Sequence, residues 1–236
     1  MLFRQLFDPE SSTYTYLIGC TETGAAALID PVLESVERDL EQLKELGLSL
    51  RLTIETHIHA DHVTGAARLR ERTGCKCALP EKSGAAHADL PVREGEAIRV
   101  GTLKLDPLFT PGHTDDHHCY LIDRHQTGRV FTGDALLIDG CGRTDFQNGD
   151  AVTLYRSVHE KLFALPGDTL VYPGHDYQQR HVSSVGQERD RNPRLGGGKT
   201  VEEFAAIMAA LNLPRPKKMD IAVPANRRCG QLTGDA

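Results

Sequence analysis

The stretch that most constrains this chain is Thr56-His57-Ile58-His59-Ala60-Asp61-His62, which sets three imidazoles and a carboxylate within six residues, directly after the short strand-like run Leu52 to Glu55. In a loop at a strand end such side chains can converge on one point, and imidazole with carboxylate suits zinc, iron or manganese. Three later positions repeat a related context of apolar run, glycine and ligand-type side chain: Pro111-Gly112-His113, Thr132-Gly133-Asp134 and Pro173-Gly174-His175. The glycine lets the backbone turn sharply and approach another element closely. Any one of them alone is weak, because a lone histidine after glycine is more often a hydrogen-bonded or surface residue. Four such sites together point to a metal centre assembled at one sheet edge.

The 236 residues suit one large domain, or one domain with a short extension. Strand-like runs fall at Tyr14 to Gly19, Ala25 to Asp30, Leu52 to Glu55, Ala97 to Phe109 (two runs split at Gly101-Thr102), Cys119 to Ile122, Val130 to Thr132 and Thr169 to Tyr172. Helical spacing occupies Val36 to Leu46, His62 to Arg72, Leu154 to Leu165 and Val201 to Leu211, with Gly47 and Gly74 as stops. Gln126-Thr127-Gly128 reads as a turn, and the tail from Pro214 as irregular. The mixed order predicts an α/β layered domain. A single domain is expected over 1–236, with a helical and irregular C-terminal extension from about 176.

Composition narrows the function classes. A net charge of -6 offers no basic stripe for nucleic acid. No run approaches the ~18 apolar residues that span a bilayer, and Met1 to Phe7 has no apolar core of signal-peptide length, so a cytoplasmic location and no membrane partner are expected. Cys20, Cys75, Cys77, Cys119, Cys141 and Cys229 are scattered and are expected to be reduced. Cys75-x-Cys77 lacks a second pair at zinc-finger spacing and reads as strand cysteines. Cys229 has no nucleophile motif around it, and His87, His125, His159 and His181 read as structural or surface residues.

His57-x-His59-x-Asp61-His62, His113, Asp134 and His175 together resemble the ligand signature of the metallo-β-lactamase superfamily, from about Tyr14 to His175. The resemblance implies an αββα sandwich with the metal at one edge of its two sheets. Two glutathione-handling members fit best, glyoxalase II and the persulfide dioxygenases (sulfur dioxygenases). The run Thr132 to Gln147, with Cys141-Gly142-Arg143-Thr144-Asp145-Phe146, is similar to the dioxygenases. So are Leu28-Ile29-Asp30-Pro31-Val32-Leu33-Glu34, Asn192-Pro193-Arg194-Leu195 and Ala222 to Gly230, so the likeness extends over nearly the whole chain. One departure is visible: after Pro-Gly-His-Thr many relatives continue with Pro-Gly, and here Asp115-Asp116-His117-His118 follows. The extra histidines are read either as lining the approach to the site or as lying on the surface.

What the dioxygenase likeness implies is one Fe(II) per chain on His57, His113 and Asp134, the catalytic set, with open positions for O2 and a sulfur substrate. Glutathione persulfide would be oxidised to sulfite and glutathione, in sulfide and persulfide detoxification. His59, Asp61, His62 and His175 would orient those ligands from behind or build a second metal site. The alternative is a glutathione thioester hydrolase of glyoxalase II type, whose two-metal centre would use them. A metal-binding protein without catalysis is a third reading. Glutathione carries two carboxylates, so Arg143, Arg215, Lys217 and Lys218 are candidate cationic anchors and Tyr177 a candidate hydrogen-bond donor. A homodimer and a rhodanese-type sulfurtransferase that supplies the persulfide stay open.

Overall fold

The computed structural model describes residues 1–123 and 127–232; Gln126 of the expected turn and His125 lie outside them. Twelve strands form two six-stranded sheets among these residues. The first sheet runs in sequence order through β1 (Leu2–Asp8), β2 (Thr13–Gly19), β3 (Ala25–Ile29), β4 (Ser49–Ile54), β5 (Lys76–Pro80) and β6 (Leu90–Val92). The second holds β7 (Ile98–Val100), β8 (Leu103–Phe109), β9 (His118–Ile122), β10 (Arg129–Gly133), β11 (Leu170–Pro173) and β12 (Ser183–Ser184). β3 to β6 are mutually parallel, as are β10 and β11. β8 and β10 both run antiparallel to β9. The carboxyl ends of β8, β10 and β11 therefore share one edge, as do those of β3 and β4 in the other sheet.

The packing follows from strand composition. Tyr14, Tyr16, Ile29 and Ile54 of the first sheet meet Tyr120, Phe131 and Tyr172 of the second in one buried core. On the outer face of the first sheet, Leu17 and Leu28 pack under α1 (Val36–Glu45) and α2 (Ala66–Thr73) through Val36, Leu43 and Leu69. On the outer face of the second, Leu121 and Val130 pack with α3 (Ala151–Ser157), α4 (Val185–Arg191) and α5 (Val201–Ala209). The runs Tyr14 to Ile18 and Ala26 to Ile29 are buried residue after residue because both faces of the sheet are covered. The order helix, sheet, sheet, helix is the expected αββα sandwich.

Three helix expectations change. The helix expected from His62 begins only at Ala66, because residues 62–65 are bound elsewhere: the Val63 carbonyl accepts from Leu33 N, Thr64 N donates to Asn226 Oδ1 and Gly65 N to the Pro31 carbonyl. The helix expected over Leu154 to Leu165 is α3 followed by a wider π turn at Val158–Leu162. The tail read as irregular contains α6 (Met219–Asn226) with Pro224 inside it. Proline removes a helix donor, but Ala222 and Ala225 are buried against Val63, so tertiary packing holds a segment that propensity disfavours.

Candidate metal centre

Each candidate ligand sits where a strand ends at the shared edge. β4 runs into His57, β10 into Asp134 and β11 into His175, while His113 lies four residues beyond β8. The edges of the two sheets are tied together there: Tyr14 N donates to the Gly174 carbonyl and Gly174 N to the Gly133 carbonyl, each at 2.8 Å. Gly133 is required at its position. Its φ is +47°, and a Cβ there would lie 2.6 Å from His117 Nε2 and 2.7 Å from Thr56 Oγ1.

His57, His113 and Asp134 converge, one ligand atom from each lying within 4.8 Å of the others. His113 Nε2 lies 3.4 Å from Asp134 Oδ2. The outer nitrogens are already used. His113 Nδ1 donates to the Arg143 carbonyl at 2.7 Å. His57 Nδ1 donates to Thr56 Oγ1 at 2.9 Å, and that hydroxyl donates to Asp30 Oδ2 at 2.9 Å. Both histidines thus present a bare Nε2, and their tautomers are set by the chain behind them. Burial, with the neighbouring imidazoles of His59, His113 and His117, holds His57 well below 6.5, so it is neutral at physiological pH.

His59, Asp61 and His62 form a second convergent group next to the first. His59 Nε2 faces two buried carboxylates, Asp30 Oδ1 at 3.1 Å and Glu55 Oε2 at 3.3 Å. His62 Nδ1 contacts Asp61 Oδ2 at 2.9 Å. His175 Nε2 lies between Asp61 and Asp134, at 3.6 and 3.5 Å. Against the cost of burial, His62 and His175 hold the Asp61 carboxyl well below its usual range. Asp134 Oδ1, His62 Nε2 and His59 Nδ1 are buried without a hydrogen-bond partner among the described residues. Buried polar atoms are rarely left unpaired, so these residues fit a bound cation.

Asp134 and His113 open onto a cleft of about 580 Å³, walled by Leu137, Ile138, Phe146 and Leu213. Among the proposed anchors, Arg143 and Tyr177 line it. The Arg143 guanidinium is largely engaged, with Asp145 at 2.6 and 2.7 Å and the carbonyls of Pro214 and Leu213 at 2.6 and 3.3 Å. Tyr177 is 77 % exposed and parallel to the His175 ring at 6.2 Å. Arg215, Lys217 and Lys218 are not brought to the cleft; Arg215 pairs with Asp220, and Lys218 with Glu10 and Glu34. Arg194, not among the sequence candidates, lines it and is held at 2.8 Å by the Cys141 carbonyl.

Other residues that shape the site were not among the site candidates either. Asp30 grips Thr56 through its N–H and its hydroxyl. Asp116 Oδ2 accepts from Ile58 N at 3.0 Å, and Gln147 Nε2 donates to the Ile58 carbonyl at 2.6 Å. Asp30 carries one sequence signal, an acid at the end of the apolar run Ala25 to Ile29. His117 and His118 neither line the cleft nor lie on the surface; both are buried, and His117 Nε2 accepts from Asp134 N at 3.1 Å. Between strands packed on both faces, these two rings had no route to solvent. All six cysteines are free and buried, and no helix among the described residues is long and apolar enough to cross a membrane.

The Metallo-beta-lactamase superfamily model matches residues 8–175. The chain is 52% identical over 237 residues to persulfide dioxygenase ETHE1, mitochondrial, of Homo sapiens, covering 100% of this chain and 91% of the relative. It is 40% identical over 172 residues to a hydroxyacylglutathione hydrolase of a Polaromonas species, covering 72% of this chain and 64% of that protein. Among solved structures, ETHE1 from Myxococcus xanthus superposes with a TM-score of 0.94 at 57% identity, over 98% of this chain and 100% of the other.

Proposed function

The chain belongs to the metallo-β-lactamase superfamily and, within it, to the persulfide dioxygenases, and from that premise we propose that it oxidises glutathione persulfide at one Fe(II) per chain held by His57, His113 and Asp134. It is an enzyme that incorporates O2 and not a thioester hydrolase: the dioxygenase likeness extends over the whole chain at 52% identity, and the likeness to a hydroxyacylglutathione hydrolase over 72% of it at 40%. The observation that carries the metal assignment is the convergence of those three side chains with the far nitrogens of both histidines already hydrogen-bonded. Two imidazoles and one carboxylate are a donor set that would suit Fe(II), and iron held there would supply the chemistry of a non-heme oxygenase.

The overall reaction balances as GSSH + O2 + H2O giving GSH and H2SO3, which loses two protons. The outer persulfide sulfur is oxidised, O2 is reduced, and the S–S bond breaks with the inner sulfur leaving as glutathione thiol. Iron, when bound, supplies the redox chemistry that dioxygen and the sulfur cannot perform unaided. The chain supplies binding and orientation. Leu137, Ile138 and Phe146 give the cleft dry walls, which strengthens electrostatic contacts inside it. Arg194 is the guanidinium with most donors left for a substrate carboxylate, and the Tyr177 hydroxyl is a second donor at the rim. Arg143 supports the Leu213-Pro214 wall through their carbonyls.

On this reading His59, Asp61, His62 and His175 hold no second metal but crowd the ligands, with the His59 ring 4.2 Å from that of His57 and His175 Nε2 3.5 Å from Asp134 Oδ1. A cytoplasmic location belongs to the same proposal; its support is six free cysteines, as expected where thiols are kept reduced. Elemental analysis of anaerobically purified protein, with oxygen uptake on adding glutathione persulfide, tests the whole. About one iron per chain and persulfide-dependent uptake are expected. Two metals per chain, with hydrolysis of a glutathione thioester and no oxygen uptake, would reject it.

A further inference from the structure

We infer that His117 is a positioning residue of the metal centre, fixing Asp134 through its backbone and propping the ring of His57. His117 is 0 % exposed. Its Nε2 lies 3.1 Å from the backbone N of Asp134, which can only donate. Nε2 must therefore accept, and the proton sits on Nδ1, which donates to Thr110 Oγ1 at 2.9 Å. Both ring nitrogens are thus committed, and in the neutral imidazole the two hydrogen bonds define one tautomer and one orientation.

That orientation bears on two ligands at once. The His117 ring stacks on the His57 ring, with centroids 5.1 Å apart and 27° between planes. Its Nε2 also abuts Gly133, where any Cβ would sit 2.6 Å away. Gly133 and Asp134 are the turn that carries the carboxylate to the edge. With no side chain at 133, the His117 nitrogen closes the space behind that turn and accepts from the next N–H. The rest of the loop is anchored as well: Thr110 N donates to the His117 carbonyl and His118 N to the Thr56 carbonyl, at 2.9 and 2.8 Å. His117 is therefore a fixed strut between the strand ends that bear His57 and Asp134.

The proposal rests on reading those two residues as ligands, and its test separates the two ideas. Apo protein is titrated with Fe(II) against a competing chelator, and the visible spectrum of the Co(II)-loaded protein reports ligand geometry. His117→Phe keeps a ring against His57 but removes the acceptor. His117→Gln keeps an acceptor but removes the ring. His117→Phe is expected to weaken Fe(II) binding by on the order of tenfold to a hundredfold, as losses behind metal ligands do, and to change the Co(II) spectrum. His117→Gln recovers part of the affinity. Unchanged affinity with an unchanged Co(II) spectrum, in whichever of the two variants folds, overturns the role of His117. Retained Fe(II) affinity in both Asp134→Ala and His57→Ala overturns the ligand assignment instead.

Discussion

Gly112→Ala tests how strictly the turn before His113 is built. Gly112 has φ +132°, a region that L side chains rarely adopt. A Cβ there would stand 2.5 Å from Leu154 Cβ and closer still to the Leu154 backbone N and Cα, in the first turn of α3. No rotamer change relieves an overlap with backbone. The strained backbone costs about 1–3 kcal/mol, and overpacking a closed site about 1–3 kcal/mol more, a sum of roughly 2–6 kcal/mol. At about 2–4 °C per kcal/mol for a chain of this size, the melting temperature should fall by roughly 4–24 °C. The fold can relax only by moving the loop or the helix, and both act on His113: Gly112 N donates to the Thr114 carbonyl, and Asp150 N, at the cap of α3, to the Gly112 carbonyl. Thermal melting of the apo protein and Fe(II) titration read the two effects. A melting temperature within about 2 °C of wild type together with unchanged iron affinity would refute the steric reasoning.

Asp134→Ala leaves two imidazoles to hold the cation; iron content should fall to near zero with oxygen uptake abolished, by elemental analysis and an oxygen electrode, and a variant that keeps its iron would exclude the carboxylate as ligand. Arg194→Ala should raise KM for glutathione persulfide by roughly tenfold with kcat retained, the size expected when one charge-assisted hydrogen bond is lost from uniform binding; an unchanged KM moves the anchor elsewhere. Arg143→Ala should also raise KM, by loosening Leu213 and Pro214, and should expose the 211–218 segment to limited proteolysis, which a purely substrate-binding role would not do. Asp39, fully buried in α1, has its pKa raised from 3.8 to about 6 by burial, with the Arg38 guanidinium only partly offsetting this. A raised folded-state value favours the protonated acid, so this stabilisation is complete below about pH 4 and is lost as pH rises through about 6, amounting to roughly 2–3 kcal/mol by pH 8. In urea melts Asp39→Asn should gain stability relative to wild type between pH 5 and pH 8, and a gap that is constant with pH would contradict the buried-acid account.

The convergence of His57, His113 and Asp134 was legible because residue type and local context coincide in these candidate ligands. Three histidines with an acid in one loop, and three further ligand-type side chains each following a glycine, state a chemistry whatever the fold. The α/β class was legible too, in the mixed order of strand-like and helical runs, while the αββα layering came only with the family resemblance. What stayed hidden depends on contacts between distant segments. Charge alone nominated Arg215, Lys217 and Lys218, but charge does not say which face a residue joins, and two of the three are absorbed by surface ion pairs. Arg194 reaches the cleft for a reason visible only in three dimensions. Asn192 Oδ1 accepts from Arg194 N and Leu195 N, while its Nδ2 donates to the Gly140 carbonyl, so a turn after α4 is pinned to the wall beside Cys141. His117 and His118 were likewise ambiguous as polar residues in a polar loop, and the sheet packing buries them.

The same logic explains why likeness to the dioxygenases continues through Ala222 to Gly230, far from any ligand. Asn226 is 1 % exposed, and among the described residues all of its side-chain hydrogen bonds go to the histidine loop. Its Nδ2 donates to the carbonyls of His59 and His62, and its Oδ1 accepts from Thr64 N, each at 2.9 Å. Those backbone groups are buried and belong to no strand or helix, so without Asn226 each would stand unpaired, at about 1–3 kcal/mol apiece. Thr64 Oγ1 in turn donates to Glu55 Oε1, whose other oxygen faces His59 Nε2. One amide on α6 thereby fixes the backbone on both sides of Asp61, while Asp30, Thr56 and Asp116 fix it around His57. The loop that looks most autonomous in the sequence is thus held in shape by residues up to 167 positions away, and the C-terminal segment belongs to the architecture of the site even though it contributes no ligand.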